Sequence, residues 1–96
     1  MDSSILKITV RGDSMWPSFK DGEEIDCIEC VDQTILIGDI VVFPHPLKNG
    51  ITCVKRVSSI SDSKLFVEGD NPDPTASEDS HNFGMIAKKT VLAIAI

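Results

Sequence analysis

The sequence predicts a mainly β domain with one or two short helical turns. Two observations predict the class: apolar runs of strand length, rich in Ile, Val and Leu, and Gly, Pro, Asp and Asn between them as turn signals. A third predicts one domain over residues 1–96: the chain is short and shows no linker, internal repeat or low-complexity tract.

The elements follow in order. Ile5-Leu6-Lys7-Ile8-Thr9-Val10 reads as a short strand. Pro17 disfavours extended pairing and predicts a turn, or one helical turn, over 15–19. Asp21-Gly22 is a turn signal, and residues 24–30 alternate in part, as a strand does. Gly38-Asp39 turns into the apolar strand Ile40-Val41-Val42-Phe43, which Pro44 and Pro46 end. Asn49-Gly50 is a hairpin signal. Residues 51–60 then form the longest strand, and Ser61-Asp62-Ser63 turns into another over 64–68. Residues 69–82 read as a polar loop, long for so small a domain and so a candidate functional segment. The chain returns at Phe83-Gly84-Met85-Ile86, makes a helical turn over 87–90 and ends in the strand 91–96.

Composition narrows the function classes. The chain is 42% hydrophobic but only 5% aromatic, so its core rests on aliphatic side chains. A net charge of -6 argues against binding that neutralises nucleic-acid phosphates or anionic membrane surfaces. No apolar stretch approaches the roughly 18 residues that cross a bilayer, and residues 1–10 lack the features of a secretory signal. Three cysteines are too few, and too odd a count, for a disulfide scaffold. A cytoplasmic protein with reduced thiols is the expectation.

Two residues carry the chemistry. Ser14 sits in Gly12-Asp13-Ser14-Met15-Trp16-Pro17-Ser18-Phe19, a turn opened by glycine and closed by proline. Such a turn can aim a hydroxyl into a groove and its own N–H at a developing oxyanion. A serine hydroxyl is a weak nucleophile until a base takes its proton. Lys55 lies in Val54-Lys55-Arg56-Val57. Strand alternation puts Ile51, Cys53, Lys55 and Val57 on one face, with Thr52, Val54, Arg56 and Ser58 on the other. A lysine held among apolar neighbours loses solvation of its ammonium form, and its pKa falls towards the range of a general base. The competing readings are an ordinary turn or N-cap serine and a snorkelling surface lysine.

Other candidates are weaker. Trp16 stands where the G-x-S-x-G elbow has its second glycine. His45, between two prolines, reads as a loop residue rather than a triad base. Cys27-Ile28-Glu29-Cys30 lacks the second pair a zinc site wants, and in a strand its thiols face opposite sides. The carboxylates show no metal-loop spacing. The sequence therefore predicts neither a metal site nor a cofactor.

Four segments in order resemble the boxes of the type I signal peptidases and their relatives. They are Gly12-Asp13-Ser14-Met15-x-Pro17 with Asp21-Gly22, then Gly38-Asp39-Ile40-Val41-Val42-Phe43, then Val54-Lys55-Arg56-Val57, then Gly69-Asp70-Asn71 with Ser77-x-Asp79-Ser80. The resemblance covers nearly the whole chain. It implies a compact β peptidase core, shared with self-cleaving repressors, and peptide-bond hydrolysis through an acyl-enzyme. It implies Ser14 as nucleophile and Lys55 as its general base. Ser77 would hydrogen-bond the lysine, Asp79 would organise its loop with Arg56 as candidate partner, and Met15 would line the substrate groove. His81 departs from the arginine usual after the Asp-Ser pair, which would make a loop salt bridge weaker or pH-dependent. Gly12 stands where some relatives carry an oxyanion-binding hydroxyl.

The small form, the His45-Pro46 pair and Gly69-Asp70-Asn71-Pro72 are similar to the maturation proteases of nickel-type superoxide dismutase. The implied partner is the dismutase precursor, from which a short N-terminal extension is removed. Three alternatives stay open: the catalytic core of a membrane-bound signal peptidase, a self-cleaving repressor domain, and a non-catalytic peptide-binding module. Against the self-cleaving reading stand the missing Ala-Gly target and the expectation of almost no upstream segment.

Overall fold

The computed structural model describes residues 5–31, 34–73, 75–76 and 78–96. Seven strands form one sheet: β1 (Ile5–Thr9), β2 (Glu24–Glu29), β3 (Ile40–Pro44), β4 (Thr52–Ser61), β5 (Lys64–Glu68), β6 (Ile86–Ala87) and β7 (Ala93–Ala95). Their spatial order is β1-β2-β7-β3-β4-β5-β6, and every pairing is antiparallel. One helical turn, α1 (Ser80–Phe83), and one 3-10 turn, Lys88–Thr90, complete the described elements. The protein is mainly β, as its strand-length runs predict.

The central strands are buried on both faces. Val41 and Phe43 of β3 enter one apolar cluster with Ile35, Val57, Leu65, Val67 and Ile94. Ile40 and Val42 enter a second with Val10, Met15, Ile25, Cys27 and Ala93. An uninterrupted Ile-Val-Val-Phe run is what a strand with two buried faces needs. Edge strand β1 is instead largely exposed.

Three elements differ from expectation. The β3–β4 hairpin closes at Pro44 opposite Thr52, so its loop spans 45–51 rather than the two residues of a tight Asn-Gly turn. Pro44 and Pro46 cannot donate to a ladder, and the His45 ring accepts from the Leu47 and Lys48 amides at 3.0 and 3.1 Å, holding the wider loop. Gly50 supplies a φ of +78° within it. The end of the polar loop folds into α1, capped by Asp79 with Asn82 reciprocating. Strand β6 is two residues long, too short for a period-2 signal to declare it.

Candidate active site

The turn that carries Ser14 is tied at both ends. The Gly12 amide donates to Asp21 Oδ1 at 2.7 Å, and Gly12 adopts φ +80°, a conformation glycine reaches without strain. Val10 donates to the Glu23 carbonyl and Gly22 to the Val10 carbonyl, closing the base of the loop. Within it, Trp16 N–H donates to the Asp13 carbonyl and Phe19 N–H to the Met15 carbonyl, giving the turn that Pro17 predicts. Ser14 is half-buried, and its amide has no acceptor among the described residues. The Gly12 amide, engaged by Asp21, is not available to an oxyanion.

Met15 does not line the groove. It is fully buried in the second apolar cluster, while Trp16 next to it is exposed. The turn directs the unbranched Met15 side chain inward, where an apolar chain gains most. Met15 thus anchors the turn that presents Ser14.

Lys55 is 5% exposed, on the β4 face that also carries buried Val57. It sits opposite Val41 of β3. No ion pair to Lys55 occurs among the described residues. Burial pushes its pKa below the usual 10.5, against smaller upward pulls from Cys53, Asp79 and Glu78. Ser14 and Lys55 line the same cleft of about 660 Å³. Its wall includes residues 7–14 from β1 and the serine turn, and residues 50–55 from the start of β4. A hydroxyl on a braced turn and an amine biased towards its neutral form therefore share one cavity. That combination suits proton transfer from hydroxyl to amine.

The segment after β5 braces both elements. Asn71 N–H donates to the Ser14 carbonyl at 2.9 Å, and its side-chain amide donates to the Asp13 carbonyl at 2.8 Å. Asp70 accepts from Ser18 Oγ at 2.6 Å and from two guanidinium nitrogens of Arg56, at 2.9 and 2.8 Å. Arg56 also donates to the Gly38 carbonyl at 2.8 Å. These bonds hold the Asp70 carboxyl below its usual value, the Arg56 hydrogen bond first among the causes.

Arg56 thus pairs with Asp70 and not with Asp79. The register explains it: Arg56 faces Glu68 across the β4–β5 ladder, so the chain leaving β5 brings Asp70 beside it. Arg56 points away from the Lys55 face, whereas Asp79 is among the charges felt by Lys55. Asp79 instead caps α1. It accepts from the His81 amide at 2.9 Å, meets the His81 ring Nδ1 at 2.9 Å and accepts from the Gly69 amide at 3.4 Å. Burial raises its carboxyl, but these hydrogen bonds outweigh burial and hold it below its usual value. His81 therefore stands beside the Asp79 carboxylate, at the position where the resemblance leads one to expect arginine. Ser77, the expected partner of Lys55, lies outside the described residues.

Sequence reasoning missed the jobs of Ser18, Asp21, Asp70 and Asn71. Asp70 and Asn71 stand in a motif already singled out, but which bonds they make depends on a contact across more than 50 positions of chain. Cys27 enters the second apolar cluster and Cys30 packs against the first, on opposite faces. Burial raises the pKa of the Cys27 and Cys53 thiols. No group of three His, Cys, Asp or Glu suited to a metal occurs among the described residues, and none of their helices is long and apolar enough to cross a membrane. No protein-family model and no curated protein matches this chain.

Proposed function

We propose that this protein is a serine endopeptidase with a Ser14/Lys55 dyad. The observation that carries the reading is the shared cleft of a braced serine and a buried lysine of lowered pKa. The order of the boxes, similar to that of the type I signal peptidases, supports it.

Neutral Lys55 Nζ takes the proton from Ser14 Oγ as Oγ bonds to the scissile carbonyl carbon. The Ser14 amide donates to the oxyanion of the tetrahedral intermediate. The C–N bond then breaks, and the Lys55 ammonium returns the proton to the leaving amine. Water gives a proton to Lys55 and attacks the ester, Oγ leaves, and Ser14 regains its proton.

The substrate we assign is a protein precursor in the cytoplasm, the proform of nickel-type superoxide dismutase, cut at its N-terminal extension. Nickel belongs to that substrate. The test is incubation of the precursor with wild type, Ser14→Ala and Lys55→Ala, read by intact mass. Wild type alone should remove the extension. A precursor left whole by all three would reject this substrate. If other peptides also survive yet bind tightly, the protein is a binding module instead.

A further inference from the structure

His45 lines the same cleft, although no step above uses it. Its side chain is 4% exposed, and its ring meets Phe83 edge-on at 5.1 Å. Nδ1 lies 3.0 and 3.1 Å from the backbone N–H groups of Leu47 and Lys48. A nitrogen that accepts from two amides carries no proton, so the imidazole is neutral with its proton on Nε2. That N–H faces Glu78 Oε1 at 3.2 Å, and Lys48 donates to the same oxygen at 2.8 Å. Glu78 lines the cleft and is one of the charges acting on Lys55.

We propose that His45 is a positioning residue: its Nε2–H tautomer ties the 45–51 loop to Glu78 and so fixes the carboxylate wall of the cleft beside Lys55. One ring crosslinks two segments that no ladder joins. Glu78 from the segment before α1 meets its ring and Lys48 from its own loop meets Glu78, while Lys7, Arg11, Asp13, Cys53 and Lys55 are the other charged or titratable groups that line the cleft. Asparagine can imitate the Nδ1 acceptor but cannot reach Glu78, whereas glutamine can place an amide donor where Nε2 stands.

The kinetic readout rests on the peptidase reading; the spectroscopic one does not. Imidazole ¹⁵N shifts of the wild type should show a bare Nδ1 and a protonated Nε2. Lys55 ¹³Cε and ¹⁵Nζ resonances, followed through pH, should titrate lower in Glu78→Gln, because a negative neighbour is removed. His45→Asn should shift Lys55 in the same direction while leaving the Leu47 and Lys48 amides protected. His45→Gln should return it towards wild type, and His45→Asn with Glu78→Gln should add nothing to Glu78→Gln alone. With an active wild type, His45→Asn should lose on the order of 10- to 100-fold in kcat/KM, and His45→Gln should recover most of it. A proton on Nδ1 would overturn the proposal. So would a Lys55 titration unmoved by His45→Asn or by Glu78→Gln. An inactive wild type would reject the peptidase, and the Lys55 titrations would still decide the role of His45.

Discussion

Lys55 and Met15 show how burial assigns different jobs to two side chains, one lining the cleft and one in the core beneath the serine turn. Lys55 is buried, and the lost solvation of its ammonium form costs stability. Its folded pKa lies below the unfolded 10.5, and the folded protein gives up that proton first. The penalty is therefore complete below the folded pKa and fades as pH rises towards 10.5. Lys55→Met should raise stability at neutral pH by about 1 kcal/mol or more. Denaturant titrations should show that gap closing in alkali. The same substitution should lower kcat by about 10³-fold or more, as should Ser14→Ala. Met15→Ala opens a cavity under the serine turn and should cost about 2–5 kcal/mol in the same titrations. The polarity of Lys55 and its strand face were legible from alternation in Cys53-Val54-Lys55-Arg56-Val57. The inward turn of Met15 was not, because one helical turn has no period to read.

At the scale of elements, a polar segment after β5 joins the serine turn to the lysine strand. Asp70 holds Ser18 of the turn and Arg56 of β4 together, and Asn71 holds the Asp13 and Ser14 carbonyls. Asp70→Asn keeps the shape of the side chain but removes the charge, and should cost about 1–3 kcal/mol at neutral pH. Because folding lowers the Asp70 pKa, its contribution is present above the unfolded value of 3.8 and disappears as pH falls through the lower folded value. Thermal melts of wild type and Asp70→Asn should therefore converge in strong acid. Strands β1 to β5 were legible because their apolar runs and turn residues agree. The bracing was not, since Arg56 has several acidic residues within reach in sequence, and only the β4–β5 register selects Asp70.

Across the whole molecule, the sheet places β1 three strands away from β3, yet residues of β1 and β4 line one cleft. The two-sided core around β3 and β7 is the rigid body on which both walls hang. Amide hydrogen exchange should be slowest in β3 and at the centre of β4, and fastest in β1 and two-residue β6. Equal protection of β1 and β3 would contradict that hierarchy. Composition made the aliphatic core legible, but the insertion of the last strand between β2 and β3 was beyond it. That placement depends on ladder partners such as Leu92 with Val42 and Ile96 with Asp26, which no local pattern encodes.

The central claim is that Lys55 activates Ser14 as a nucleophile. An activated ester of a short peptide, mixed with wild type, Ser14→Ala and Lys55→Met and read by intact mass and peptide mapping, tests it most directly. Wild type should gain one acyl group on Ser14, at a rate that rises with pH through a value below 10.5. Neither variant should acylate at that position. Acylation of Ser14 at equal rates with and without Lys55, or an adduct on another residue, would contradict the dyad.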